Sequence, residues 1–250
     1  MSMQAIVKII KNAKHLVILT GAGVSKESGV PTFRDAMDGL WAKYDPQQLA
    51  TPRAFAQNPK LVWDWYDYRR GLVNNAKPNA GHIALAQLEK LHPKLWIITQ
   101  NVDNLHEQAG STRLIRLHGN IAESICYNQC QGGRVVVNKD DFVWDADHTT
   151  PPHCPHCGGY LRPNVVWFEE PLPPQAIQSA YDIANRCDVM LIIGTSGMVS
   201  PASDLPHLAL NNGAALIEVN PDESMITPYV DAHLKGASGV ILPVLLEALA

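Results

Sequence analysis

The feature that most restricts what this chain can fold into is its cysteine pattern. Four of its five cysteines fall in two short pairs: Cys126 and Cys130 are separated by three residues, Cys154 and Cys157 by two, with 23 residues between the pairs. Two such knuckles bring four thiolates to one point, the donor set of a tetrahedral zinc site. Two disulfides are the alternative, and they require an oxidising compartment. His153 and His156 compete as ligands, but four sulfurs already close the site. A closed site has no position for substrate, so its metal is expected to stabilise the fold rather than to catalyse. Cys187 is then left unpaired.

Elsewhere strand and helix signals alternate. Short apolar, β-branched runs at 15–20, 95–99, 113–117, 189–194 and 215–219 read as buried strands, with helical stretches such as 81–91 and 177–186 among them. Such alternation implies an α/β fold with a parallel sheet covered by helices on both faces. Two stretches break the pattern: 35–75 reads as helices separated by proline, and 121–162 carries the paired cysteines with little periodicity. The expected division is a sheet domain of 1–34, 76–120 and 163–250, and a small module made of a helical part, 35–75, and a zinc-ribbon part, 121–162.

A net charge of −4 and the absence of any basic run argue against nucleic-acid binding. No apolar run approaches the roughly 20 residues that span a bilayer. Residues 1–11 read as an amphipathic helix without the features of a signal peptide. The expectation is a soluble cytoplasmic protein with no membrane partner; the sequence does not specify its oligomeric state.

Gly21-Ala22-Gly23 follows the first strand directly. Glycines there allow a sharp turn and close approach to a phosphate. Lys26 stands where the third glycine of a dinucleotide fingerprint belongs, so a plain strand-to-helix turn is the alternative. The continuation, Ser25 and then Ser28-Gly29-Val30-Pro31-Thr32-Phe33-Arg34, resembles the first signature of the sirtuin family. Thr99-Gln100-Asn101-Val102-Asp103-Asn104-Leu105-His106, Leu117-His118-Gly119, Gly194-Thr195-Ser196 and Glu218-Val219-Asn220 match further sirtuin segments in order.

The resemblance implies a Rossmann-like NAD-binding domain with a small zinc and helical module, and an active site in the cleft between them. It places Ala22 at the phosphates, which Gly21 and Gly23 let the backbone approach, and Phe33 and Arg34 in a mobile loop over the nicotinamide ribose. It assigns Gln100 to a ribose hydroxyl and Asn101 and Asp103 to the nicotinamide carboxamide, which offers both a donor and an acceptor. Gly194, Thr195, Ser196 and Asn220 fall at the adenosine half. His118 is the implied general base; His82 and His106 read as structural. In the implied reaction the acyl oxygen of a modified lysine attacks the ribose anomeric carbon and nicotinamide leaves. His118 then deprotonates a ribose hydroxyl, and the products are free lysine, nicotinamide and O-acyl-ADP-ribose. NAD is thus consumed, acyl-lysine proteins or peptides are the partners, and one zinc ion is structural. A protein ADP-ribosyltransferase using the same NAD site is the alternative; a hydride-transfer dehydrogenase and a non-catalytic binding module are more distant rivals.

Residues 60–73 read as a helix whose apolar stripe is Leu61, Trp65, Tyr68 and Leu72, with Asp67 and Arg70 on its more polar sides. Tyr66 and Arg69 lie three apart on one flank, where an arginine and a hydroxyl can together bind a carboxylate. Tyr-x-x-Arg resembles the third sirtuin class, which prefers succinyl- and malonyl-lysine. Ala50, in Leu49-Ala50-Thr51-Pro52, matches the small residue of that class that leaves room for a longer acyl group. Val166, Trp167 and Phe168 match the segment that pairs with the substrate peptide. There Glu169 replaces the family glycine, adding a charge and restricting the backbone.

Overall fold

The computed structural model describes residues 1–31, 49–147 and 149–249. Thr32, Phe33 and Arg34 lie outside the described residues. Two compact units emerge from the chain: Met1–Thr32, Ala76–Leu117 and Leu172–Ala250 form the first, and Phe33–Asn75 with His118–Pro171 the second. Residues 163–171 belong to the second unit because the strand that precedes and enters them pairs there.

The first unit holds a six-stranded parallel sheet in the order β3-β2-β1-β7-β8-β9, where β1 is Leu16–Thr20, β2 Leu95–Thr99, β3 Leu114–Arg116, β7 Val189–Ile193, β8 Ala215–Asn220 and β9 Ala232–Lys235. Every residue of β1 and β7 is buried. Strands covered on both faces need no polar alternation, which is why they read as continuous apolar runs. Alternate residues, Leu16 and Ile18, Leu95 and Ile97, Leu191 and Ile193, Ile217 and Val219, build one core. Onto it pack Ile6 and Ile10 of α1 (Met3–Asn12), Leu85 and Leu88 of α4 (Ala80–Leu91), and Leu242 and Leu245 of α8 (Ser238–Leu249). Each such side chain contributes about 1.5–3 kcal/mol of burial. Helices α6 (Pro174–Ala184) and α7 (Asp204–Asn211) pack on each other and against β3, β7 and β8.

The second unit contains α2 (Pro52–Gln57), α3 (Pro59–Asn75) and a three-stranded antiparallel sheet in the order β5-β4-β6, with β4 Gly119–Cys126, β5 Val136–Val137 and β6 Leu161–Val165. The stretch around the cysteines therefore carries a sheet that its weak periodicity did not reveal. Thr51 caps α2, its hydroxyl accepting from Ala54 N at 3.1 Å, and Pro52 occupies the first turn. Helix α5 (Leu105–Ala109) lies in the first unit and ends at Gly110, whose φ of 103° is left-handed.

The apolar face of α3 is rotated from the expected one. Val62, Trp63, Trp65, Tyr66, Arg70 and Val73 are its buried residues, whereas Tyr68 is 42% exposed. Arg70 is the reason the pattern misleads. It is buried, not on a polar side, and it enters the place where the β4–β6 register shifts between Asn120 and Ser124. There Arg70 Nε donates to Ile121 O at 2.7 Å and Nη2 to Ser124 Oγ at 3.0 Å. The irregularity exposes backbone acceptors, and the guanidinium satisfies them while lying over the Trp63 ring at 4.6 Å. Burial lowers its pKa to about 10.

Candidate functional site

In the first unit the order of strands reverses between β1 and β7, the position where open α/β sheets bind ligands at the carboxyl ends of their strands. Gly21, Ala22 and Gly23 leave β1, and Gly194 leaves β7 on the other side of that point. Gly23 N donates to Gly194 O at 2.8 Å and Gly21 N to Ile193 O at 3.0 Å. A Cβ on Gly23 would sit 2.7 Å from Gly194 Cα, and one on Gly194, whose φ is +59°, 2.5 Å from Val24 N. The glycines thus let two backbones touch. The chain then forms a 3-10 turn, Ala22–Ser28, instead of entering an α-helix directly. A turn lined by glycine and alanine at a strand switch fits the pyrophosphate of a dinucleotide.

Around this turn the predicted polar residues come together. Gln100 Nε2 donates to Thr195 Oγ1 at 3.0 Å, and Asn220 Nδ2 donates to Thr195 O at 3.0 Å, tying the ends of β2 and β8 to the loop after β7. Ser196 is exposed on that loop. Asn101 and Asp103 are buried, and both meet Ser25: Asn101 Nδ2 donates to Ser25 Oγ at 3.1 Å, and Ser25 Oγ donates to Asp103 Oδ2 at 2.9 Å. Asp103 Oδ1 also accepts from Leu105 N at 3.1 Å, an Asx-type contact at the start of α5. Burial raises the Asp103 pKa against these hydrogen bonds.

Beside these residues lie two histidines, each structural by the sequence reading, whose meeting the sequence does not foretell. His82 and His106 are buried with ring centroids 4.9 Å apart. Ser25 Oγ is 3.4 Å from His82 Nε2, and Thr20 Oγ1 is 3.1 Å from His106 Nε2. Burial lowers the His82 pKa to about 4 and the His106 pKa to about 3, the latter helped by His82 and Arg116. Both rings are neutral near pH 7. The motif in which His106 stands was the only signal pointing to it, since a lone histidine among ten has none of its own.

In the second unit, His118 is half-buried and follows the buried Leu117; its carbonyl accepts from Val166 N at 2.9 Å. Gly119, after it, has φ +84° and lies against Asn164 O, where a Cβ would be 2.0 Å away. The small residue of Leu-His-Gly thus lets β6 close on β4. Phe168 N donates to Ala50 O at 2.9 Å, bringing the two segments of the expected acyl site together. Ala50 and Trp167 are buried and Phe168 is 37% exposed. Tyr66 is not on the flank of α3 but fully buried; its hydroxyl accepts from Trp167 Nε1 at 3.1 Å. Arg69 is half-buried, its Cζ 5.6 Å from the Tyr66 ring centroid and 5.0 Å from that of Trp65. Burial raises the Tyr66 pKa, against the pull of Arg69, so the phenol stays protonated.

Glu169 has φ +73°, the conformation for which glycine is favoured. It is the third residue of a turn closed by Glu170 N donating to Trp167 O at 3.1 Å. The strain of a left-handed side-chain-bearing residue is about 1 kcal/mol. Arg53 pairs with the Glu169 carboxylate, its Nε donating to Oε2 at 3.2 Å, and this exposed pair returns at most a comparable amount.

The sulfurs of Cys126, Cys130, Cys154 and Cys157 lie within 4.8 Å of one another, with Cys126 to Cys157 at 3.5 Å and Cys130 to Cys154 at 3.8 Å. A tetrahedral zinc with sulfur ligands at about 2.3 Å has sulfur–sulfur edges of about 3.8 Å. The four cysteines fit that ion and are too far apart for disulfides, which need about 2.05 Å. The Gly159 backbone N–H and the neighbouring thiols lower Cys157 to about 7. His153 is not needed as a ligand: its Nδ1 lies 2.7 Å from Gly158 O and its Nε2 3.2 Å from Asp145. Among the described residues no helix is long and apolar enough to cross a membrane.

Comparison with known proteins identifies the family. The Sir2 family profile matches residues 21–201. A protein of Aquifex aeolicus described as an NAD-dependent protein deacylase is 49% identical over 226 residues, covering 88% of this chain and 89% of its own. A Sir2 homologue solved as an NAD complex superposes with a TM-score of 0.88 at 43% identity, over 98% of this chain and 93% of that one. A Sir2 protein solved bound to acetylated peptide has a TM-score of 0.87 at 28% identity, over the whole of both chains. The chain belongs to the Sir2 family.

Two outcomes follow from the site. Stripping metal with a chelator, or Cys154→Ser, should release about one zinc per chain by elemental analysis and lower the melting temperature; an unchanged melting temperature would show that the cysteines hold nothing structural. His106 has a pKa of about 3 in the fold and 6.5 without it. Between these values the unfolded chain binds the extra proton, so stability falls as pH drops below about 6.5. Calorimetry of wild type and His106→Gln from pH 7 to 4.5 should show a shallower loss in the variant; parallel curves would contradict the buried neutral ring.

Proposed function

We propose that this chain removes succinyl and malonyl groups, and less readily acetyl groups, from protein lysines, consuming NAD. The NAD-dependent deacylase activity rests on family membership and on the description of a relative about half identical over most of its length. That description also disfavours the ADP-ribosyltransferase alternative, which would leave ADP-ribose on the protein.

The observation that carries the acyl preference is the pair Tyr66 and Arg69 on α3. A protonated phenol and a guanidinium one turn apart offer a neutral donor and a charged fork, the complement of a carboxylate. Ala50, buried with a single methyl, leaves more room than a larger side chain would. Acetyl-lysine offers the pair no charge, so it gains nothing from Arg69.

NAD, when bound, supplies an activated ribose whose bond to nicotinamide breaks. In this reading the glycine turn at 21–23 holds the phosphates, and Gly194 lies at the adenosine half. Gln100, Thr195, Ser196 and Asn220 hold ribose and adenosine groups, and Asn101 and Asp103 orient the carboxamide. Phe33 and Arg34 are assigned to a loop over the nicotinamide ribose from the family pattern alone. Val166 and Phe168 carry the peptide backbone. His118 accepts the ribose hydroxyl proton as general base, a task suited to an imidazole near neutral pH.

Steady-state turnover of matched peptides tests this. Arg69→Met should lower kcat/KM on succinyl-lysine about 100-fold and on acetyl-lysine less than about threefold. Equal losses on both would remove the carboxylate role. His118→Tyr should lower turnover of every acyl group by at least about 100-fold at an unchanged melting temperature; substantial residual activity would remove His118 as the base.

A further inference from the structure

Trp167 lies in the segment matched to peptide binding, yet its side chain is 1% exposed and directed into the second unit. Its ring is held on several sides. Arg162 Cζ stacks 3.3 Å from the ring centroid, and Phe55 packs at 5.4 Å. Arg162 is fixed in turn by Glu170, with Nη2 donating to Oε2 at 3.0 Å and to Val165 O at 2.7 Å. Glu170 Oε2 also accepts from Trp167 N at 2.9 Å, so backbone and ring answer to the same carboxylate. The indole N–H then has one direction to point, and it meets the Tyr66 hydroxyl at 3.1 Å.

That contact determines what the Tyr66 hydroxyl can do. A phenol oxygen accepts through its lone pairs and donates through one proton. With the indole N–H occupying an acceptor position, rotation about the C–O bond is restricted and the proton is turned away from Trp167. We infer that Trp167 is a positioning residue for acyl selection: through Nε1 it orients the Tyr66 O–H toward the carboxylate of an acidic acyl group, and the Glu170–Arg162 pair holds it in that orientation. The inference rests on the acyl reading above and adds to it the residue that makes Tyr66 a directed donor. An ordinary core tryptophan would fill the same volume without affecting the choice between acyl groups.

The test separates these roles. Trp167→Phe keeps an aromatic ring and removes the N–H. Replacement of Trp167 by β-(3-benzothienyl)alanine keeps the bicyclic shape and removes only the N–H, and it serves where the phenylalanine variant folds poorly. Either should lower the succinyl-to-acetyl ratio of kcat/KM by about five- to tenfold, mainly through a higher KM for the succinyl-lysine peptide. In a Tyr66→Phe background the same change should have no further effect on the succinyl-to-acetyl ratio. Equal losses on both acyl groups, or an undiminished effect in the Tyr66→Phe background, would overturn the positioning role. Wild-type enzyme without a preference for succinyl-lysine would overturn the acyl reading itself, which is distinguishable because it is measured before any variant is made.

Discussion

The site in the first unit depends on one close approach between two backbones. Gly23 donates to Gly194 across the switch between β1 and β7, at 2.8 Å, and neither position has room for a Cβ. Because the two turns touch, the loops after β1, β2, β7 and β8 converge, and Gln100, Thr195 and Asn220 become hydrogen-bonded neighbours. The parallel sheet places these loops at one end; the glycines bring them into contact. A larger residue at either position would separate the turns before it affected any ligand.

Burial, more than charge pairing, sets the chemistry of the polar groups. His82 and His106 are kept neutral by desolvation, and Tyr66 is kept protonated by it. Arg70 shows the cost side of the same principle. A buried guanidinium is tolerated because the shifted β4–β6 register offers it backbone acceptors, which would otherwise be unpaired. Glu169 is a comparable exception in the backbone: a side chain occupies a left-handed position and Arg53 compensates in part.

The sheet strands and the cysteine cluster were legible in the sequence because each has a strong local signature, a fully apolar run or two short Cys pairs. The polar residues at the strand ends were legible through ordered motifs. What was not legible depends on tertiary context. The face of α3 was misphased because Arg70, polar by type, is buried, and Tyr68, apolar in part, is exposed. The small antiparallel sheet was hidden because β5 has two residues and β4 is irregular, so neither has a clean alternation. Helices α7 and α8 and strand β9 were passed over for lack of a motif. The neutral histidine pair arises from residues 24 positions apart, a juxtaposition no spacing rule predicts. At Glu169 the sequence implies only an added charge and a restricted backbone; that its backbone is left-handed, with φ +73°, emerges from the structure.

The proposed enzyme is an NAD-consuming deacylase whose acyl site is built for a carboxylate. Its most direct measurement is mass-spectrometric turnover by the wild-type protein of peptides identical except for acetyl-, succinyl- or malonyl-lysine, each with and without NAD. The account predicts NAD-dependent loss of all three groups, fastest for the two acidic ones. A preference for acetyl, or deacylation that proceeds without NAD, would contradict it.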